Sequence, residues 1–472
     1  MPAEPAYRHR IAFGTWINDM RNEPLPLEQW PAPQLDDTTV EGITRTLDVI
    51  SDAGYGYLDA FGLYATTNYP PDIVSAFDDP ERARQVERVF AAADRRGIKM
   101  TLCLGVHTWG YDRIIREDPS VRGLDKDGNP HPHAMCGAKE KSWEYIDRLV
   151  RTMFSRHDFG AVHLESADLG YCMCPECAGG LGSVGYNARL NARAAQIIKA
   201  HSKEALTYVC PINWEPWRLG DDGKQHTFSG ETLQHVIELS RHIDVFMDQG
   251  HHGRFISWDD VPRLHCDYGT SGGLWLYHGC RQDRLSYLVP YVRRLAGHIR
   301  DHHEHGARAA LLYQGPMANP GVRVNSACGG RLLQDPARDP ADVLAEVIQD
   351  AWKPRSDEAL RRLTQLFLDV EEGYFGAWDT SRIQGIEPPG ELMLGSLFNT
   401  SPDAATHLME PYLDAEGRAA CHAAWRGALG EALELREQFE DRAALEGIIR
   451  TLNVSLQLLA TIRMAKGEKW LD

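Results

Sequence analysis

Short apolar runs alternate with longer amphipathic stretches along most of this chain. Each run has the length of a buried strand and carries β-branched or aromatic residues. The eight runs cover residues 10–16, 55–60, 98–106, 159–165, 206–213, 243–248, 273–278 and 307–314. We predict that they are parallel strands, because the stretches that join them are long enough to form helices.

The joining stretches have helical periodicity. Residues 40–53 and 80–96 end before Gly54 and Gly97, which predicts a helix stop followed at once by the next strand. Further helical patterns cover residues 141–156, 187–205, 231–241 and 285–305, whereas no long helix is predicted between the sixth and seventh strands. Eight strand–helix units predict the α/β class and a (β/α)8 TIM barrel, with an open doubly wound sheet as the alternative.

The pattern changes near residue 339. From there to residue 472 the chain is rich in Ala, Leu, Glu and Arg with helical spacing and without strand-like runs. We therefore predict two domains, a catalytic barrel over residues 1–338 and a C-terminal α-helical domain over residues 339–472.

Charge and composition narrow the range of partners. The 472 residues include 50 Lys and Arg against 67 Asp and Glu, a formal net charge of −17. Such a surface repels nucleic acid and anionic lipid, so a small-molecule carbohydrate partner fits better. No apolar segment is long enough to span a membrane, and the first ten residues lack the apolar core of a signal peptide. We expect a cytoplasmic protein, with a homo-oligomer left open.

Aromatic and imidazole side chains cluster after the predicted strands, where a barrel builds its pocket. Indole faces stack on sugar rings, and imidazoles bind hydroxyl groups. The candidate substrate-binding residues are Trp16, His107, Trp109, Trp214, Trp217, His251, Trp275, Tyr277, His278, Tyr313 and Gln314. The alternative for any one of these aromatic residues is a place in the core.

The candidate catalytic carboxylates follow the fourth, fifth and sixth strands. Glycosidic bond cleavage needs a protonated carboxyl beside the leaving oxygen and usually a second carboxylate as base or nucleophile. Glu165 or Asp168, at the end of the fourth strand, is the candidate acid. Asp248 or Glu215 is the candidate second group, although an aspartate at a strand end can also cap the following segment.

A cysteine cluster directly follows the fourth-strand carboxylates. Thiolates are the ligands that structural zinc prefers, and the run CMCPEC supplies three of them, at Cys172, Cys174 and Cys177. Cys136 in the preceding long loop is the candidate fourth ligand, with His131 or His133 as substitutes. We expect a structural zinc that joins two long loops; reduced thiols without metal, or a disulfide, are the alternatives.

The segment from Asp168 to Cys177 resembles the Asp-Gly and CxCxxC signature of barrel proteins related to alpha-glucuronidases and family 20 hexosaminidases. Residues 331–340 are similar to the entry into the C-terminal helices of that group. The spacing from Cys136 to the later three cysteines resembles the zinc cluster of family 42 beta-galactosidases. The hexosaminidases carry adjacent Asp and Glu, whereas here the two carboxylates are three residues apart, which weighs against substrate-assisted hydrolysis of an N-acetyl sugar.

These patterns and the resemblance together imply a glycosidase, an O-glycosyl hydrolase that cleaves a small glycoside or oligosaccharide by carboxylate acid–base catalysis. One alternative is a metal-dependent sugar isomerase or amidohydrolase, with its ion held by His107, His251, His252, His278 and Asp248. The other is a sugar-binding barrel without catalysis. The sugar and its linkage stay open.

Overall fold

The computed structural model describes residues 4–14, 17–22, 34–64, 79–108, 110–165, 170–178, 181–211, 214, 227–248, 254–272, 288–376, 415–440, 442–465 and 467. The strands within these ranges are β1 (His9–Phe13), β2 (Tyr57–Asp59), β3 (Lys99–Gly105), β4 (Arg122–Leu124), β5 (Pro130–Met135), β6 (Ala161–Glu165), β7 (Leu206–Val209), β8 (Val245–Asp248), β9 (Asp267–Gly272) and β10 (Ala309–Tyr313).

Eight of these strands form a closed parallel barrel in the order β1-β10-β9-β8-β7-β6-β3-β2. Strands β4 and β5 lie outside it and pair with each other as an antiparallel hairpin. The predicted (β/α)8 barrel is therefore confirmed, and the open sheet is excluded because β1 pairs with both β2 and β10. The predicted fourth strand corresponds to β6, whose register places Glu165 opposite Gly105.

Helices follow the barrel strands. They are α1 (Asp37–Asp52), α2 (Pro80–Asp94), α3 (Asp112–Glu117), α4 (Glu140–Arg156), α5 (Pro175–Ala178), α6 (Gly182–His201), α7 (Gly230–Leu239), α8 (Arg293–Glu304) and α9 (Pro320–Gln334). Asp36 and Asp79 cap the first two through side-chain oxygens that accept backbone N–H bonds. The predicted stops, Gly54 and Gly97, adopt the left-handed φ values of 85° and 68°.

The seventh strand is not the predicted run 273–278. It is β9, Asp267-Tyr-Gly-Thr-Ser-Gly272, which pairs with β8 and β10, and the predicted run lies outside the described residues. A Cβ atom at Gly269 would lie 2.8 Å from Sδ of Met247, and one at Gly272 would lie 3.0 Å from Nε2 of His298. Close packing thus requires glycines, and glycines hide a strand from sequence patterns.

The barrel interior holds its own apolar cluster. Ile11 and Leu311 meet Tyr208 and Met247 there, although these residues come from opposite sides of the barrel. Alternate residues of a strand share a face, so the members of this cluster mark which positions point inward. Their neighbours in sequence pack against the surrounding helices.

The C-terminal helices are α10 (Pro340–Trp352), α11 (Asp357–Phe375), α12 (Ala415–Glu434) and α13 (Arg442–Ala465). They hold the chain at the start of α8. The Glu371 carboxylate accepts backbone N–H bonds from Val292, Arg293 and Arg294 at 2.9, 3.1 and 3.0 Å, while burial raises the pKa of Glu371. Trp425 donates to the carbonyl of Leu288. The domain boundary at residue 338 stays a prediction.

None of the helices in the described ranges combines the length and apolar character needed to cross a bilayer.

Candidate functional site

Strand β6 brings the first candidate acid to the rim of the barrel. Glu165 is the last residue of β6, and His163 precedes it by two positions on the same strand. Alternate residues share a strand face, so positions 163 and 165 belong to the same face. Only the backbone of Glu165 is described, and Asp168 lies outside the described residues.

A polar cluster occupies the barrel interior next to this strand end. The Asp59 carboxylate Oδ2 lies 2.8 Å from Nδ1 of His163 and accepts a 2.6 Å hydrogen bond from the Tyr208 hydroxyl. Sγ of Cys103 is 4.0 Å from the same His163 nitrogen. The hydrogen bond assigns the proton to Nδ1, because the Asp59 oxygen is an acceptor. Sequence reasoning missed His163, Tyr208 and Cys103.

Aromatic rings hold this cluster in place. The His163 ring stacks on Tyr208 at 4.7 Å between centroids, and its edge meets Phe13 at 5.8 Å. Burial, and next the negative charge of Asp59, raise the pKa of Tyr208 well above its usual value. The Tyr208 hydroxyl therefore stays protonated and serves as a donor. The sequence feature that could have revealed this cluster is a set of polar side chains at inward-facing positions of otherwise apolar strands.

Asp248 faces away from the pocket. Its carboxylate accepts backbone N–H bonds from Phe255 at 2.8 Å and Ile256 at 3.1 Å, and a 3.0 Å bond from the Tyr268 hydroxyl. Because Met247 belongs to the interior cluster, the next residue points outward. This geometry favours the supporting role, in which Asp248 holds the segment after β8, over the predicted role of base or nucleophile.

Trp214 and His107 are core residues, which corrects their prediction as sugar contacts. The Trp214 side chain is 0% exposed, and its ring meets Phe246 edge-on. The His107 side chain is also 0% exposed and packs edge-on against Trp143, with ring centroids 4.2 Å apart. Burial lowers the pKa of His107 to about 3, so its imidazole is neutral. Neither ring offers a face to a ligand.

Two further candidates, Tyr313 and Gln314, lie at the end of β10. Tyr313 is 7% exposed and packs against Phe13 at 5.4 Å, within the interior ring of aromatic residues. The Gln314 side chain is buried and donates to the carbonyl of Leu312 at 2.9 Å. The remaining candidates lie outside the described residues, namely Trp16, Trp109, Glu215, Trp217, His251, Trp275, Tyr277 and His278.

The four predicted cysteines come together. Sγ of Cys136 is 3.7 Å from Sγ of Cys174 and 3.5 Å from Sγ of Cys177, and the ligand atoms of all four cysteines lie within 4.8 Å of one another. Four sulfurs bound tetrahedrally to zinc at about 2.3 Å would lie about 3.8 Å apart. The four are buried reduced thiols, so the donor set fits a closed zinc site.

Local structure explains why this loop brings the thiols together. Gly123 on β4 leaves room for Cys172, because a Cβ atom there would lie 2.8 Å from the Cys172 Cβ. The backbone N–H of Leu124 donates to Sγ of Cys172 at 3.3 Å, and that of Ala138 donates to Sγ of Cys177 at 3.2 Å. Such donors stabilise thiolates.

The histidine substitutes have other partners. Nδ1 of His131 accepts backbone N–H bonds from His133 and Ala134 at 3.1 and 3.0 Å. His133 pairs with Asp112 through Nδ1, at 2.6 Å. Cys136 is therefore the residue that joins the other three cysteines, as its place in the preceding long loop predicted. Hydrogen bonds from Cys172 and Cys177 lower the pKa of Cys136, which favours the thiolate form that binds zinc.

Comparisons with known proteins support the fold. The sequence matches no protein-family model and no curated protein. Among solved structures it is similar to CpGH84B, with 9% identity and a TM-score of 0.50 over 98% of this chain and 70% of that one. It is also similar to the family 89 glycoside hydrolase from Clostridium perfringens in complex with PUGNAc, with 10% identity and a TM-score of 0.56 over 96% of this chain.

A third similar structure is CpGH89 from Clostridium perfringens in complex with its substrate GlcNAc-alpha-1,4-galactose, with 11% identity and a TM-score of 0.58. This chain spans half of the length of both family 89 structures. At such identities the similarity shows the fold alone. It extends over nearly the whole chain, so it includes both the barrel and the C-terminal helices.

Proposed function

We propose that this protein is a glycoside hydrolase in which Glu165 is the general acid. The observation that carries the proposal is the place of Glu165, the last residue of β6 at the carboxyl rim of a closed barrel. Catalytic residues of barrel enzymes sit at the carboxyl ends of strands. Position 165 lies two residues beyond His163 on the same strand and in register with Gly105 of β3.

The chemistry requires one carboxyl group on each side of the reacting carbon. Glu165 would protonate the leaving oxygen, and a carboxylate across the pocket would act as nucleophile or base. Glu215 is our candidate for that second group, because Asp248 is engaged by backbone N–H groups. Asp168 is the alternative acid, three residues after Glu165.

A small glycoside or oligosaccharide is the proposed substrate. Two of the similar structures are a family 89 glycoside hydrolase and CpGH89 with a disaccharide, which supports a carbohydrate ligand. The net charge of −17 supports a partner other than nucleic acid. The reduced cysteines support a cytoplasmic location.

A panel of nitrophenyl glycosides that includes uronides tests the activity. We expect at least one to release nitrophenol together with a reducing sugar. On the alkyl glycoside of the same sugar, Glu165→Gln should lower kcat by about 10²–10⁴-fold at unchanged stability, since that is the usual contribution of a general acid to the departure of a basic leaving oxygen. The matched control is Glu144→Gln, an exposed glutamate on α4, which should leave kcat unchanged.

Other outcomes separate the alternatives. If Asp168→Asn loses activity and Glu165→Gln does not, Asp168 is the acid. If sugars bind but the whole panel stays intact, the sugar-binding barrel is the better account. The metal-dependent alternative loses two of its ligand candidates in this fold, because His107 is buried against Trp143 and Asp248 faces outward.

We also propose that Cys136, Cys172, Cys174 and Cys177 bind one structural zinc ion. The support is the sulfur spacing of 3.5 and 3.7 Å, the burial of all four thiols and the N–H donors to two of the sulfurs. A bound zinc would join the β4–β5 hairpin to the segment after β6, and four protein ligands would leave no open position for catalysis. Elemental analysis should find that Cys172→Ser removes one zinc per chain.

A further inference from the structure

We propose that Asp59, Cys103 and His163 form a second metal site, inside the barrel, for a divalent cation of the zinc class. The three residues stand on adjacent strands β2, β3 and β6, and their ligand atoms all lie within 4.8 Å of one another. This site is separate from the four-cysteine cluster, whose ligands lie outside the barrel strands, in the segments that follow β5 and β6.

The donor set suits zinc. It combines a carboxylate oxygen, a thiol sulfur and an imidazole nitrogen, the three ligand types that zinc takes in proteins. A tetrahedral zinc ion holds nitrogen about 3.3 Å from oxygen and about 3.6 Å from sulfur. Nδ1 of His163 lies 2.8 Å from Oδ2 of Asp59, shorter than the nitrogen–oxygen distance around zinc. It lies 4.0 Å from Sγ of Cys103, longer than the nitrogen–sulfur distance. At this site a bound cation would replace the proton on Nδ1 of His163, which is released to solvent, and a small shift of the imidazole away from Asp59 would make room for the ion.

The buried carboxylate supplies the second argument. Asp59 is 0% exposed, and its Oδ1 has no hydrogen-bond partner among the described residues. Oδ2 is the atom that meets His163 and Tyr208. A buried carboxylate oxygen without a partner is unfavourable, and a bound cation would satisfy it and balance the charge.

Tyr208 completes the arrangement from outside the ligand set. Its hydroxyl donates to the Asp59 carboxylate at 2.6 Å, and its ring stacks on the His163 imidazole at 4.7 Å. Partners that orient carboxylate and imidazole ligands are characteristic of metal sites. Three protein ligands leave one coordination position for water or substrate, and position 165 lies two residues beyond His163 on β6.

The test counts zinc ions per chain, by elemental analysis and by native mass spectrometry of protein refolded with excess zinc and desalted. The wild-type chain should hold two, one in each site. Asp59→Asn and Cys103→Ser should each hold one, because both variants keep the size of the side chain and remove a ligand. Cys210→Ser, a buried cysteine just after β7 and outside the ligand set, should still hold two.

A titration of the metal-free wild type with Co²⁺ needs no variant. We expect two equivalents to bind, one with strong thiolate-to-cobalt absorption from four sulfurs and one with weaker absorption from a single sulfur. Cobalt absorption from four sulfurs alone, without the weaker single-sulfur band, would overturn the proposal, as would two equivalents retained in both Asp59→Asn and Cys103→Ser. The count is independent of hydrolysis, so two zinc ions in a chain that cleaves no glycoside would contradict only the proposed function.

Discussion

The loop cluster of four cysteines and the barrel cluster of Asp59, Cys103 and His163 are built in opposite ways. Three of the four loop ligands fall within six residues, in the run CMCPEC. In the barrel cluster 104 residues separate Asp59 from His163, and only the closure of the sheet brings them to 2.8 Å. The first is held by turns and a hairpin, the second by strands.

Sequence spacing is informative for the loop cluster and uninformative for the barrel cluster. Ligands close together in the chain form a motif, so the loop cluster can be recognised from the amino-acid sequence alone. Ligands on separate strands can be recognised only when it is known which residues point into the barrel. Successive residues of a strand point alternately into the barrel and out of it. Asp59 and Asp248 both end strands and are both buried, yet one meets His163 inside the barrel and the other holds backbone outside it.

Cys172→Ser should produce the largest effect, because it removes a ligand that the loops depend on. We expect the free energy of unfolding to fall by about 3 kcal/mol or more as the zinc is lost. Urea denaturation of zinc-loaded protein measures this change. Cys266→Ser, a half-buried cysteine outside both clusters, is the control. Equal losses in the two variants would show that the loops do not depend on a metal.

His107 lies next to the loop cluster and makes the stability of the protein depend on pH. Its backbone carbonyl accepts a hydrogen bond from the N–H of Met135, the residue before Cys136. Burial lowers the pKa of His107 from 6.5 to about 3. Between these values the unfolded chain binds the proton and the folded chain does not. The contribution of neutral His107 to the free energy of unfolding is therefore complete above pH 6.5. Between pH 6.5 and about 3 it decreases by about 1.4 kcal/mol for each pH unit of acidification.

His107→Asn should remove this slope, because asparagine does not titrate and tolerates the left-handed φ of 66°. The measurement is urea denaturation of both proteins at several pH values from 4 to 6.5, which lie within this window. Parallel stability curves for the variant and the wild type would contradict the buried, neutral state of His107.

Asp248→Asn tests whether the outward-facing Asp248 supports the structure rather than catalysis. The amide places N–H groups against backbone donors at Phe255 or Ile256, so we expect a loss of about 1–3 kcal/mol in the free energy of unfolding. Thermal and urea unfolding measure it. The exposed Asp94→Asn at the end of α2 should change stability by less than about 0.5 kcal/mol. Unchanged stability with lost turnover in Asp248→Asn would return Asp248 to the catalytic group.

Trp214→Phe should produce the smallest effect. The ring is buried against Phe246, so the variant should lose about 1–2 kcal/mol of stability from the smaller packed volume. Its KM for any glycoside should stay within about twofold of the wild type, because no ring face reaches the pocket. A large rise in KM at unchanged stability would restore Trp214 as a sugar contact.

Sequence patterns predicted the barrel well where strands are apolar, as at β3 and β10, and failed at β9, where packing against Met247 and His298 requires glycines. They identified Cys136 as the fourth thiol because neighbouring loops meet. They could not tell that Asp248 points outward, since hydrophobicity is similar on both faces of a buried parallel strand. The same ambiguity concealed His163, an inward residue in an apolar run.

The dependence of hydrolysis on the leaving group in Glu165→Gln tests whether Glu165 is the general acid. A general acid matters most when the leaving oxygen is basic. We expect the variant to lose about 10²–10⁴-fold in kcat on alkyl glycosides and far less on dinitrophenyl glycosides, at unchanged zinc content. An equal loss on both classes, or no loss on either, would contradict the role of Glu165 as the acid at the rim of this barrel.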